Sequence, residues 1–298
     1  MRALASVPRG SNRAHSRSDR VDLVVQAPEI GSAEIAALAD LAEARALTVL
    51  DGGLQQAYRL ENVREHSAVS EACTRMGYDC AYMPHDLTRE RVGLVAMDMD
   101  STLITIECVD EIADLVGIKP QVAAITASAM RGEIDFPASL AQRVALLAGL
   151  PEAALQTVYD QRLRLTRGAE RMLAGFRAAG AKMLLVSGGF TFFTERLKAR
   201  LELDDMLANV LETDDGRLTG RIAGEIVDAQ AKAARVAGWR AQLPAGQLVV
   251  AIGDGANDIP MLAAADVSVA FHAKPVVRAA ATYAIDHCGL DGVLNLFR

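Results

Sequence analysis

Short apolar runs alternate with amphipathic segments over most of the chain. Three runs, at 92–97, 183–186 and 248–252, have the length and the near-continuous apolar character of strands buried on both faces of a parallel sheet. Two shorter runs, at 267–271 and 283–285, add further strands, and helical patterns lie between them. This alternation predicts an α/β fold built on a doubly wound, mostly parallel sheet.

One long stretch of purely helical pattern interrupts the alternation. It runs from about residue 107 to about residue 165 and is broken by glycines and prolines. We interpret it as a helical cap that is inserted after the first buried strand, at an edge of the sheet. Further along, the turn residues Asp214-Asp215-Gly216 separate two strand-like runs, 210–213 and 218–226, and predict a hairpin.

The first part of the chain has a different pattern. Four strand-like and two helix-like segments follow one another in the order β-α-β-β-α-β, which is typical of a ferredoxin-like α+β unit. The strands are predicted at 21–26, 47–50, 56–60 and 78–83, and the helices at 33–45 and 63–76. With a hinge at Pro84-His85-Asp86, the chain divides into a leader (1–20), an N-terminal domain (21–88) and a larger domain (89–298).

Composition and charge narrow the range of functions. Among 298 residues, 31 Lys and Arg face 38 Asp and Glu, and the net charge of −7 disfavours nucleic acid as a partner. No apolar run approaches the ~20 residues that a membrane helix needs. The four cysteines form no CxxC pair and have no zinc-site spacing, so we predict a reduced, cytoplasmic protein. The leader, rich in arginine and serine, is interpreted as disordered, with a transit peptide as the alternative.

Polar residues follow the three buried strands at the points where these strands end. Asp98 and Asp100 follow the first strand, Ser187-Gly188-Gly189 the second, and Asp254 the third. Ligands of open α/β sheets bind at this edge, so we expect these groups to lie close together. Carboxylates that converge from neighbouring strands favour Mg²⁺. Each motif alone is common in ordinary turns, and it is their combination that predicts a site.

The second strand end and a nearby lysine indicate the chemistry of this site. A serine beside glycine N–H groups suits an anion, and Lys232, just before the third strand, adds a compact positive charge. A metal, an anion site and a carboxylate nucleophile together are typical of phosphoryl transfer through an aspartyl-phosphate.

At these positions the chain resembles the haloacid dehalogenase superfamily of phosphatases, whose nucleophile is an aspartate. The matching motifs are DMDST (98–102), VSGGF (186–190), Lys232 and GDGAND (253–258). Longer segments, such as DMDSTLITIECVDEIA and FPASLAQRVALL, are similar to the phosphoserine phosphatase family, and the resemblance runs from about residue 93 to the end. It implies Mg²⁺-dependent hydrolysis of O-phospho-L-serine to L-serine and phosphate, the last step of L-serine biosynthesis.

The resemblance also implies a role for each matching residue. Asp98 would be the nucleophile, and Asp100 the general acid that later acts as a base. The metal ligands would be the carboxylates of Asp98 and Asp254 and the backbone carbonyl of Asp100. The phosphoryl group would be held by Ser187, Gly188, Lys232 and Asn257, the substrate ammonium by Glu107 and the substrate carboxylate by Arg143. Asp258 would orient Lys232 or a metal-bound water, and Met130 and Phe136 would shield the site.

Several alternatives stay open at this point. A phosphotransferase of the same fold would pass the phosphoryl group from phosphoserine to homoserine, and another phosphatase of the superfamily would act on a different small molecule. A non-catalytic amino-acid sensor is a rival from a different class, and the complete set of acidic residues with Lys232 argues against it. The N-terminal strand order resembles the amino-acid-binding ACT domains, from which regulation by serine is a hypothesis. The expected partner is the small-molecule substrate, with a homodimer left open.

Overall fold

The computed structural model describes residues 21–298, and the predicted leader, residues 1–20, lies outside them. Alternating apolar side chains in the first part and continuous apolar runs in the second give two kinds of sheet. One is antiparallel with four strands, and the other has seven strands that are mostly parallel. These two sheets confirm the predicted fold class, an α/β sheet with a separate N-terminal α+β unit.

The N-terminal unit has the predicted β-α-β-β-α-β order. Its elements are β1 (Val21–Ala27), α1 (Ser32–Leu41), β2 (Ala46–Leu50), β3 (Gln56–Val63), α2 (Ser67–Met76) and β4 (Asp79–Met83). The strand order in the sheet is β2-β3-β1-β4, and one face packs in a common core with both helices. Helix α1 ends before its predicted end at Arg45, because the chain turns at Glu43 with a φ of 51°. The likeness of this unit to ACT domains stays a prediction.

The larger sheet carries the three buried strands in its middle. Its strands are β5 (Val92–Met97), β6 (Lys182–Phe190), β7 (Asp205–Asp214), β8 (Arg217–Ala223), β9 (Leu248–Gly253), β10 (Val267–Phe271) and β11 (Tyr283–Ile285). Their order is β11-β10-β9-β5-β6-β7-β8, and only the β7–β8 pair is antiparallel. Strand β7 is longer than the predicted run 210–213, because its first half also pairs with β6. The polar residues Asp205 and Asn209 interrupt the apolar pattern there, so the sequence hides this half of the strand.

Four helices occupy the stretch predicted as the cap, and five more surround the sheet within residues 21–298. The cap helices are α3 (Cys108–Leu115), α4 (Lys119–Met130), α5 (Phe136–Ala145) and α6 (Ala153–Gln161). The others are α7 (Ala169–Ala178), α8 (Thr191–Leu201), α9 (Ala229–Arg240), α10 (Ile259–Ala263) and α11 (Pro275–Arg278). Among the described residues no helix has both the length and the apolar character to cross a bilayer.

The cap helices are fastened to the outer hairpin of the main sheet. The N–H of Gly149 donates to the Leu218 carbonyl, and the N–H of Leu218 donates to the Leu150 carbonyl, both at 2.8 Å. The end of α5 and the turn after it approach β8 closely: a Cβ at Gly220 would lie 3.2 Å from the Ala145 carbonyl oxygen and 2.9 Å from the Cβ of Ala148. Gly220 also has a φ of 81°, so both the contact and the backbone conformation favour glycine at this position.

The C-terminal segment joins the two units of the chain. Residues Leu290–Leu296 form a buried 3-10 helix that contacts β1 and α7. The Arg59 guanidinium reaches this segment from β3 and donates to the carbonyls of Asn295 and Phe297, each at 3.0 Å. Gln26 accepts a further bond from the Asn295 side chain at 2.7 Å. Because these polar groups are buried, their hydrogen bonds fix how the two sheets sit together.

Asp79, at the start of β4, completes this junction. Its side chain is 4 % exposed and accepts the N–H groups of Asp286, His287 and Cys288 at 2.8, 3.1 and 3.0 Å. A carboxylate is well suited to this position, since one side chain supplies acceptors to three successive backbone donors.

We expect Asp79→Ala to lower the free energy of unfolding by about 2–4 kcal/mol, because buried N–H groups would lose their acceptor. Urea denaturation measures this loss. Asp40→Ala is the control, since Asp40 is an exposed carboxylate on α1 of the same unit and its removal should change stability by less than about 0.5 kcal/mol. Equal stabilities of the two variants would contradict the role given to Asp79.

Candidate active site

Three loops meet at the carboxyl edge of the main sheet because the strands that carry them are neighbours. In the parallel register Met97 at the end of β5 lies opposite Ile252 of β9 and Leu185 of β6. Asp98 follows Met97 directly, and its N–H donates to the Ile252 carbonyl at 3.0 Å. The polar residues that follow the three strands therefore lie side by side.

A buried ion-pair cluster occupies the centre of this edge. Lys232 of α9 is 1 % exposed, and its Nζ lies 2.8 Å from Oδ1 of Asp98 and 2.8 Å from Oδ1 of Asp258. Burial alone would lower the pKa of Lys232, but the two carboxylates outweigh it and raise the pKa above its ordinary value. Lys232 is therefore a permanent cation held against Asp98.

A third carboxylate joins the cluster from the loop after β9. Carboxylate oxygens of Asp98, Asp254 and Asp258 lie within 4.8 Å of one another. Burial, together with the negative charge of Asp258, raises the pKa of Asp254 to about 6. Three carboxylates so close together repel one another unless a cation is shared between them.

The donor set fits a hard divalent cation. Asp258 uses one oxygen for Lys232 and the other for the N–H of Gly255 at 3.0 Å, so it has no oxygen left over from these bonds. Asp98 and Asp254 each use a single oxygen, for Lys232 and for the Thr102 hydroxyl respectively, and each keeps its second oxygen for a ligand. Oxygen donors of this kind suit Mg²⁺ and related ions.

Asp100 lies beside the cluster in a different environment. Burial and the nearby charge of Glu107 raise the pKa of its carboxyl to about 7. Within the described chain, Oδ1 of Asp100 is buried and has no hydrogen-bond partner. A carboxyl group with a pKa near neutrality can both give and take a proton, which suits a general acid and base.

The loop at the end of β6 approaches these carboxylates very closely. A Cβ at Gly189 would lie 2.8 Å from the Met99 side chain and 3.2 Å from Oδ2 of Asp100. A Cβ at Gly188 would lie 2.9 Å from the ring of Phe136, which belongs to the cap. The Ser187 hydroxyl accepts the N–H of Gly189 at 2.9 Å and so shapes the turn. The two glycines are needed because backbone, carboxylates and cap meet here.

The predicted cap residues differ in how close they lie to the strand ends. Glu107 lies at the start of α3 and accepts the Ser101 hydroxyl at 2.7 Å. Burial lowers the pKa of Arg143 on α5, and the charges of Asp110 and Glu107 oppose this shift. Met130 is 67 % exposed, and its sulfur lies 3.9 Å from Nζ of Lys274. Of the two residues predicted to shield the site, Phe136 lies against Gly188 in the loop at the end of β6, whereas Met130 faces solvent.

Two residues near the site were not predicted from the sequence. Thr102 is fully buried and donates to Oδ1 of Asp254 at 2.8 Å. Its signal was its place in the DMDST motif, where we assigned no task to it. Asn209 is 1 % exposed and bonds to the Gly188 carbonyl at 2.8 Å. Its signal was a polar residue at a position now seen to lie inside a strand. Asn257, which was predicted, is half-buried in the loop after β9.

Comparison with known families assigns a class to this fold and site. A family model described as haloacid dehalogenase-like hydrolase matches residues 95–263, and a second model with the same description matches residues 244–297. The chain belongs to the haloacid dehalogenase-like hydrolases. Phosphatases of this family use a divalent metal ion, in agreement with the acidic cluster. In the N-terminal unit, residues 23–69 match a domain of unknown function, DUF4072.

Individual relatives agree in the name they carry. The chain is 52% identical over 219 residues to phosphoserine phosphatase of Polaromonas sp., covering 72% of this chain and 93% of that protein. It is 43% identical over 235 residues to phosphoserine phosphatase of Vibrio cholerae, covering 78% of this chain and 70% of that one.

Solved structures show the same likeness. The unliganded structure of a probable phosphoserine phosphatase from Vibrio cholerae superposes with a TM-score of 0.79 at 36% identity, covering 93% of this chain and 86% of that one. A substrate-bound phosphoserine phosphatase complex superposes with a TM-score of 0.64 at 35% identity, covering 70% of this chain and 99% of that one.

We expect Thr102→Val to weaken binding of a divalent cation by about tenfold, because Asp254 would lose the hydroxyl that orients it. The dependence of the melting temperature on cation concentration measures this affinity. Thr126→Val is the control, since the Thr126 hydroxyl bonds only within α4, to the Val122 carbonyl. An unchanged cation affinity in Thr102→Val would show that the Thr102–Asp254 bond does not support the site.

Proposed function

We propose that this chain is an Mg²⁺-dependent phosphoserine phosphatase that hydrolyses O-phospho-L-serine to L-serine and phosphate, the final step of L-serine synthesis. The observation that carries the proposal is the cluster of Asp98, Lys232, Asp258 and Asp254 at the strand ends. Relatives at 43–52% identity that bear this name support the choice of substrate.

Asp98 is the nucleophile in the proposed reaction. Its oxygen attacks phosphorus, a bond forms between the two, and the bond from phosphorus to the serine oxygen breaks. Burial and the charge of Asp258 raise the pKa of Asp98, and Lys232, at 2.8 Å, opposes that rise. Lys232 also offsets the repulsion between this carboxylate and the incoming phosphate. The position of Asp98 at the end of a central buried strand holds the nucleophile rigid.

Asp100 handles the proton in both halves of the reaction. It gives its proton to the departing serine oxygen, and it then takes a proton from the water that attacks phosphorus. That attack breaks the bond between phosphorus and Asp98 and releases phosphate. A pKa of about 7 lets the same carboxyl act in both directions.

The negative charge of the phosphoryl oxygens would be balanced by donors from the loop after β6 and by the metal ion. In the proposed reaction Ser187, Gly188 and Asn257 donate to phosphoryl oxygens together with the cation of Lys232. Asp98, Asp254 and the carbonyl of Asp100 would hold Mg²⁺. When bound, the ion withdraws negative charge from the phosphoryl oxygens.

Selection of serine falls to the cap. Substrate carries an ammonium and a carboxylate besides its phosphate, and the cap offers Glu107 and Arg143 as one acid and one base. The Arg143 fork matches a carboxylate in a bidentate geometry. Phe136 at the edge of the Gly188 loop excludes water beside the reacting phosphate.

The purified chain should release phosphate from O-phosphoserine with Mg²⁺ and lose this activity in EDTA. Asp98→Asn should lower kcat by at least about a thousandfold, because the amide cannot form the covalent bond to phosphorus. Phosphate release measures both effects. Asp204→Asn, at a carboxylate that bonds Lys182 and the Met183 N–H away from the site, is the control. Near-normal turnover by Asp98→Asn would exclude Asp98 as nucleophile, and a new phosphoester with homoserine present would favour the transferase.

Two cap substitutions test the selection of serine. Arg143→Ala should lower kcat/KM for O-phosphoserine about 100-fold but leave phosphoethanolamine, which lacks the carboxylate, almost unaffected. Glu107→Gln should likewise lower kcat/KM for O-phosphoserine. It should leave the phosphate ester of 3-hydroxypropanoate, which lacks the ammonium, almost unaffected. Arg131→Ala is the control, since Arg131 is an exposed cap arginine paired with Glu133. Equal losses on all three substrates would refute these assignments.

A further inference from the structure

A single buried amide connects two parts of the site. Asn209 lies in β7 and is 1 % exposed. Its Nδ2 donates to the Gly188 carbonyl at 2.8 Å, and its Oδ1 accepts the N–H of Val227 at 2.8 Å. Gly188 belongs to the loop after β6, and Val227 immediately precedes the segment that begins α9. Only a side chain with a donor and an acceptor at this spacing can make both bonds.

The Gly188 bond replaces a missing part of the sheet. Strands β6 and β7 pair regularly from Leu184–Asp205 to Val186–Leu207, and pairing then shifts until Phe190 lies opposite Asn209. In the gap, the chain of β6 bends toward Asp100 and Phe136 and leaves the regular ladder. The Asn209 amide donates to the Gly188 carbonyl within this gap, so it ties the loop to β7 where the pairing is irregular.

The bond from Asn209 to Val227 is linked to Lys232 through the start of α9. Asp228 caps α9 by accepting the N–H of Ala231 at 2.8 Å, and the N–H of Lys232 donates to the Asp228 carbonyl at 3.1 Å. The bond from Asn209 to Val227 therefore fixes the start of the helix that presents Lys232. One amide thus connects the Gly188 loop to the start of the helix that carries Lys232.

We propose that Asn209 is a positioning residue that holds the Gly188 loop and the start of α9 in the spacing required for the phosphoryl group. It does not touch substrate itself. The proposal rests on the function proposed above, because it assumes that the Gly188 loop and Lys232 act on the same phosphoryl group.

Two variants separate this role from a contribution to folding alone. Asn209→Asp keeps the acceptor for Val227 but loses the donor to Gly188, and Asn209→Ser is too short to make both bonds. Each should lower kcat by about 10–100-fold, since small displacements of charge-stabilising groups cost that much. KM should change less than about threefold, because the cap holds the rest of the substrate. The inhibition constant of orthovanadate, which mimics the five-coordinate phosphorus, should rise in parallel with the loss in kcat/KM.

Asn295→Ser is the matched control. Asn295 is also a buried asparagine, and its side chain bonds Gln26 in the junction of the two units. It should lose stability in urea denaturation but keep its kcat and its vanadate inhibition constant. Folded Asn209 variants with wild-type kcat and vanadate inhibition would overturn the proposal, as would an equal loss of kcat in Asn295→Ser.

Failure of the proposed function gives a different result. A wild-type chain without activity on O-phosphoserine would contradict the substrate assignment. Vanadate affinity, measured directly by calorimetry in wild type and in both Asn209 variants, would still decide the role of Asn209. Weaker vanadate binding in both variants supports the proposal, and unchanged binding refutes it.

Discussion

The site depends on one buried ammonium group placed between two carboxylates. Three aspartates with oxygens within 4.8 Å of one another would not remain ionised together in a buried site without a cation. Lys232, at 2.8 Å from both Asp98 and Asp258, supplies that charge from within the protein. It leaves the cluster with a net negative charge, which is what a divalent metal ion requires, and it opposes the burial and the charge of Asp258, which raise the pKa of Asp98.

This arrangement constrains the elements around it. The two central strands β5 and β9 must be neighbours so that Asp98 and the loop of Asp254 and Asp258 meet at one edge. The start of helix α9 must lie at a fixed position relative to the strand ends, because Lys232 is in its first turn and must reach Asp98 and Asp258. Asp258 in turn is held by the Gly255 N–H, so that it faces the lysine rather than solvent. Fold and chemistry are thus linked through a few side chains that bond one another and, at Asp258, a backbone N–H.

Much of this could be predicted from the sequence, and the reason is physical. Continuous apolar runs define buried parallel strands, and polar residues directly after them must lie at the ligand-binding edge. That logic locates Asp98, Asp100, Ser187 and Asp254 without any contact being known. It does not find Asn209, because its partners are backbone groups 18 and 21 residues away and no pattern marks such bonds. It also misses the parallel half of β7, where the polar Asp205 accepts the indole N–H of Trp239 and interrupts the apolar pattern.

Glu107 and Arg143, which we propose select the substrate, lie near different attachments of the cap to the rest of the chain. The segments that lead into and out of the cap pair with each other, through the N–H of Thr105 to the Arg164 carbonyl and the N–H of Thr166 to the Leu103 carbonyl, both at 3.0 Å. Glu107 follows this two-stranded hinge directly.

Arg143 instead lies on α5, near the second attachment at β8. A substrate whose ammonium meets Glu107 and whose carboxylate meets Arg143 therefore links the hinge side of the cap to its far side. In the proposed function, recognition of the amino acid would then be coupled to closure of the cap over the phosphate, because binding energy from the charged groups would order the site.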